Sequence, residues 1–236
     1  MLLLRVDVDR PYLICKQGMM PSSSMRTFYY PMNFLAAVTV QPRFKLHGYL
    51  THLNDFVEYL NGKGIKGTFF LKTNTIPRDQ TILNGHRVGI HSWIARTLTE
   101  FEREFWLVKR AMANFEIEGM TKHGSGRIKE SWKHVREYEP SKYLEWCRTM
   151  GLRYFAGNSE NPRIPFQEMG KLTYYPSAFW LERNRRPTGA DIPWLLKESE
   201  TRDVVVLVHP ENWLLNIRSE RDDLELILSK GRFGLI

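Results

Sequence analysis

Between residues 203 and 209 the chain reads Asp203-Val-Val-Val-Leu-Val-His209, five apolar residues in a row with no polar alternation. A strand that is apolar on both sides must be covered on both sides, which is the condition of parallel sheets wrapped by helices. Shorter strand-like runs occur at Leu2–Val8, Gly67–Leu71, Arg87–His91, Gly119–His123, Leu152–Phe155, Lys171–Tyr175 and Phe233–Ile236. Helical patterns fall between them. Residues 50–63 carry apolar side chains at 50, 53, 56, 57 and 60 and stop at Gly62 and Gly64. A second helix is predicted from Thr99, as its cap, to Phe115, and one or two more over 130–150, broken near Pro140. Asp191–Glu200, with Pro193 in its first turn, and Ser219–Lys230 complete the set. Strands alternating with helices indicate an α/β fold with a parallel sheet, either a barrel or a doubly wound form.

What favours the barrel is the placement of polar residues. The first strand ends Arg5-Val6-Asp7-Val8-Asp9, and two acids two positions apart leave the same face of a strand. Buried carboxylates need a partner, water or a metal. On structural grounds alone, solvent or ion pairs with Arg5 and Arg10 would suffice. His91, His123 and His209 also stand at the carboxyl ends of predicted strands, where barrel enzymes build their sites. The chain has neither GxGxxG nor GxxxxGK[ST], so the nucleotide-binding forms lose support.

At 236 residues the chain is expected to form one domain, 1–236. Its apolar start is broken by Arg5 and Asp7, and no 18-residue uncharged apolar run follows. Cys15 and Cys147 make no framework and no CxxC pair. The reading is a soluble cytoplasmic protein with reduced cysteines. The stretch Pro11–Leu46 is long for a connection in a compact domain, which suggests a functional or partly disordered loop. A net charge of +8 suits polyanions in general, but zinc-finger, basic-zipper and RNA-recognition signatures are missing, which weighs against nucleic acid.

These residues together resemble the polysaccharide deacetylase family, carbohydrate esterase family four. Val6-Asp7-Val8-Asp9 is similar to its first motif, and Leu60–Leu71 to its second helix-to-strand signature. Gly85–Ser92 resembles the approach to its His-Ser/Thr-x-x-His metal motif, and Leu207-Val-His209-Pro210 its last histidine. The matches keep family order across residues 4–210. The resemblance implies a distorted (β/α) barrel of about seven parallel strands. It also implies a divalent metal, commonly zinc, and removal of acetyl groups from N-acetylated sugars or cleavage of a related non-peptide C–N amide bond. By the same resemblance Asp7 would be the general base, Asp9 and His91 metal ligands, and His209 the general acid.

The chain departs from the family at two places. Four residues after His91, where a second metal histidine belongs, stands Ala95. Restoring it by Ala95→His is expected to tighten zinc if the local backbone follows the family. In place of the arginine-containing motif the chain has Thr121-Lys-His-Gly-Ser-Gly126, with Lys122 or Arg127 as stand-ins and His123 as a replacement ligand. His47, His52 and His86 are more distant candidates. Lys122, Arg127, Trp93 and Trp213 are the expected substrate contacts. Two further readings stay open: a barrel without metal chemistry that binds a glycan or other anionic partner, and an unrelated binding protein for an anionic polymer.

Overall fold

A computed structural model describes residues 1–12, 48–124 and 134–236. Most of the Pro11–Leu46 stretch, together with Cys15, His47 and Arg127, therefore lies outside the described residues. The strands are β1 (Leu2–Val8), β2 (Thr68–Leu71), β3 (Arg87–Ser92), β4 (Ile117–Lys122), β5 (Tyr154–Ser159), β6 (Gln167–Met169), β7 (Leu172–Ser177), β8 (Phe179–Trp180), β9 (Val204–Val208) and β10 (Phe233–Gly234). The helices are α1 (Thr51–Gly62), α2 (Leu98–Ala111), α3 (Pro140–Thr149), α4 (Ile192–Glu198), α5 (Pro210–Leu214) and α6 (Glu220–Lys230).

All strands form one sheet in the order β6-β7-β5-β4-β3-β2-β1-β9-β8, with β10 beside β1. Neighbours pair in parallel except the β6–β7 hairpin. β7 and β8 are separated only by Ala178, so one extended run pairs first with β5 and then, at Trp180, with Leu207 of β9. Counting that run once, the wall among the described residues has the seven parallel strands expected; β10 falls in the predicted Phe233–Ile236 run, and β6 is an addition the sequence reading missed. The curled sheet is a distorted barrel.

Side-chain alternation divides the core in two. Leu2, Leu4, Val6 and Val8 of β1, with Val204, Val206 and Val208 of β9, pack outward against the helices. Leu3, Phe70, Tyr154, Ala156, Ala178, Trp180, Val205, Leu207 and Ile236 fill the barrel interior. Arg5 and Asp7 share the parity of Leu3, so they also point inward. Interior room is tight: a Cβ on Gly119 would lie 2.0 Å from the Tyr154 ring.

Helix ends follow local chemistry. Gly64, at φ 68°, takes the left-handed turn after α1. The cap of α2 is Thr97 rather than Thr99, in a reciprocal box with Glu100. Pro140 starts α3 instead of breaking it, since proline fits a first helical turn. No helix among the described residues is long and apolar enough to cross a membrane.

Candidate metal centre

At the carboxyl end of the barrel, β1, β3 and β4 bring three side chains to one point. Asp9 Oδ1 lies 2.9 Å from His91 Nε2 and 3.0 Å from His123 Nδ1, and the two imidazole nitrogens are 2.9 Å apart. No choice of tautomers gives each edge of this triangle its own hydrogen bond. If both rings donate to Asp9, two N–H groups face each other. If one ring donates to the other, the acceptor turns no hydrogen toward the carboxylate. A cation among the three atoms satisfies all of them at once, and two histidines with one carboxylate are a donor set that suits zinc with a position left open. The residues present thus fit the metal that the family resemblance implies.

The electrostatics agree. Burial draws His91 down to about 4 against the pull of Asp7 and Asp9, so the ring is neutral and its lone pair available. Burial raises Asp9, but His123 and His209 outweigh it and hold the carboxyl well below its usual range. His209 reaches Asp9 Oδ2 at 3.6 Å. Burial lowers its pKa, yet Asp9, Glu211, Glu182 and Asp7 lift it to a net value above 6.5.

Asp7 lies beside this cluster, its Oδ2 3.9 Å from His91 Nε2. Both of its oxygens are taken by Arg5, Oδ1 by Nε at 2.8 Å and Oδ2 by Nη2 at 2.6 Å. Burial pushes Asp7 up, and Arg5 together with His91 and His209 more than offsets it. Arg5 is 1% exposed and donates further to Gly157 O at 2.6 Å, Asn158 Oδ1 at 2.8 Å and the Thr121 hydroxyl. A cation beside Asp7 therefore comes from its own strand, two residues earlier. Strand parity was the signal: Arg5 and Asp7 had to leave the same face.

Glu104 of α2 was also missed. Buried, it accepts from Ser92 Oγ and from the Trp93 N–H, both at 2.9 Å, and so anchors the end of β3 that carries His91. No periodicity marks it, because it lies on the apolar face of its helix.

Of the expected substrate contacts, Lys122, Trp93 and Trp213 are among the described residues, and their side chains are engaged away from the triangle. Lys122 is buried, its Nζ donating to the carbonyls of His123 and Val135. Trp93 is fully buried under Lys72, with its indole N–H on Thr73 Oγ1 at 3.2 Å. Trp213 packs against Phe56 and Tyr59 in the helical layer, outside the wall. Ala95 also belongs to that outer cluster, so a side chain there points away from the triangle. His52 is buried on α1 and His86 binds Gly67 N–H and Asn61, leaving neither at the site.

No protein-family model matches the chain, and no curated protein does. Among solved structures it is similar to the catalytic domain of a peptidoglycan N-acetylglucosamine deacetylase from Eubacterium rectale ATCC 33656. That match has a TM-score of 0.44 at 14% identity and covers 100% of this chain and 87% of the other. It is also similar to a 4-alpha-glucanotransferase from Thermococcus litoralis, with a TM-score of 0.47 at 13% identity, covering 99% of this chain and 37% of that one.

Proposed function

We propose that the chain is a divergent metal-dependent hydrolase that removes acetyl groups from N-acetylated sugars or cleaves a related non-peptide C–N amide bond. The observation that carries this reading is the triangle of Asp9, His91 and His123, a donor set that could hold one divalent cation. In it His123 takes the place of the histidine missing at position 95.

When bound there, a divalent ion, zinc by its donor set, would polarise the amide carbonyl and acidify water. Asp7, fixed by Arg5 beside His91, accepts the proton as water adds to the carbonyl carbon. His209, its pKa raised by the surrounding carboxylates and its ring beside the other oxygen of Asp9, donates its proton to the departing nitrogen as the C–N bond breaks. Acetate and a free amine leave.

One observation favours a second reading, a barrel of the same shape that binds a glycan without cleaving it. Asp7 has both oxygens engaged by Arg5 and a lowered pKa, which makes it a weak base. Acetate release from neutral and acidic N-acetylated sugars, with zinc, cobalt or manganese added, separates the two. A hydrolase loses roughly 10²-fold or more in turnover on Asp7→Asn and on His209→Ala, with losses far from additive. Wild type as inert as both variants, while a glycan still raises the melting temperature, would establish the binding reading.

A further inference from the structure

His123 reaches the triangle from the first residue after β4, just where the chain turns away at Gly124, φ 28°. The second torsion of a histidine side chain is broad, so something must fix the ring plane if one nitrogen is to meet a metal. His91 meets one side of the ring, its centroid 4.8 Å away at 81°. His134 lies against the same ring, 4.8 Å away and tilted by 39°. It is 2% exposed.

His134 is itself pinned. Its Nε2 lies 3.1 Å from the carbonyl of Gly124, and since a carbonyl only accepts, the ring carries its hydrogen on Nε2. The next residue is tied to the rim twice: Val135 N donates to Trp93 O at 2.9 Å, and Val135 O accepts from Lys122 Nζ. The same Nζ holds His123 O at 2.6 Å. Residues 134–135 thus clip the ends of β3 and β4 together and set a ring against the ligand histidine.

We infer that His134 is a positioning residue for the metal, holding the His123 imidazole so that Nδ1 faces Asp9 and His91. This rests on the metal reading above. The ring face does the positioning, and the hydrogen bond to Gly124 places the ring.

The test is zinc affinity of the full chain, measured by competition with a chromogenic chelator, for wild type, His134→Phe and His134→Gln. Phenylalanine keeps a ring against His123, whereas glutamine keeps an N–H for Gly124 without a ring. The glutamine variant should bind zinc 10- to 100-fold more weakly, as loss of a partner behind a metal histidine commonly does, and the phenylalanine variant within about threefold of wild type. In long-range ¹H–¹⁵N spectra of the zinc-loaded proteins, His123 should be ligated through Nδ1 in wild type and in the phenylalanine variant. A glutamine variant that binds as tightly as wild type overturns the inference. So does a folded phenylalanine variant that loses 10-fold or more, which keeps the question decidable if the glutamine variant does not fold. Wild type that takes up no zinc removes the metal reading and this inference with it.

Discussion

Ala95 and His123 carry the main departure from the family pattern, and strand geometry accounts for both. Ala95 is fully buried in the apolar cluster outside the barrel wall, whereas His123 has the inward parity of Gly119 and Thr121 on β4. A histidine at 95 would put a polar ring into that cluster and no nitrogen into the triangle. Ala95→His should therefore leave zinc affinity unchanged and cost roughly 2 kcal/mol of stability through overpacking and desolvation. His123→Ala should do the reverse, weakening zinc by more than the roughly 10- to 100-fold seen when a residue behind a ligand is lost. Chelator competition and denaturant melts read the two quantities separately. Asp9, His91 and His123 were legible from the sequence because each ends a strand. Arg5 was legible only as an ion-pair partner, since its further bonds reach β4 and β5, which sequence spacing does not bring near.

Among the elements, periodicity and glycine punctuation located the long ones to within a few residues, while their ends depended on chemistry that short-range pattern ranks poorly. Thr97 outcompetes Thr99 because Glu100 can reach back to its N–H from the third helical position. The two-residue β8 has no pattern of its own and exists because β9 needs a neighbour. His86 shows what a histidine near the metal motif does instead of binding metal. Its Nδ1 accepts from Gly67 N at 3.1 Å and its Nε2 meets Asn61 Oδ1 at 3.1 Å, tying α1 and the entry of β2 to the entry of β3. Burial, helped by Lys66, pulls its pKa to about 4. The folded state thus holds it neutral, and its contribution is complete above the unfolded value near 6.5 and lost as pH falls from there toward 4. Thermal melts at pH 7.5 and 4.5 should show the wild type losing more stability than His86→Gln, by roughly 1 to 2 kcal/mol. Equal losses would mean that His52 and His91, also drawn to about 4 by burial, carry the acid sensitivity.

On the scale of the whole molecule, the barrel is closed by one chain segment and braced by one cation. The run through β7, Ala178 and β8 joins β5 to β9, and Ile236 fills the floor with Leu3, Phe70, Tyr154 and Val205. Above that floor Arg5 lies with its guanidinium carbon 5.7 Å from the Phe70 ring centroid and spans the interior, bonded to Asp7 on β1, Thr121 on β4 and Gly157 and Asn158 on β5. A buried ion pair adds little net stability over an apolar pair of the same shape, but removing one partner strands the other charge. Arg5→Met should therefore cost roughly 3 to 5 kcal/mol, because Asp7 would keep its burial and lose its cation. Adding Asp7→Leu to Arg5→Met should recover much of that loss while leaving the protein without a candidate base. The double variant should still bind zinc through Asp9, His91 and His123 and release no acetate. Denaturant melts of the two variants measure the stability difference. A double variant no more stable than Arg5→Met would show that Arg5 braces the barrel through Gly157, Asn158 and Thr121 rather than through its charge on Asp7.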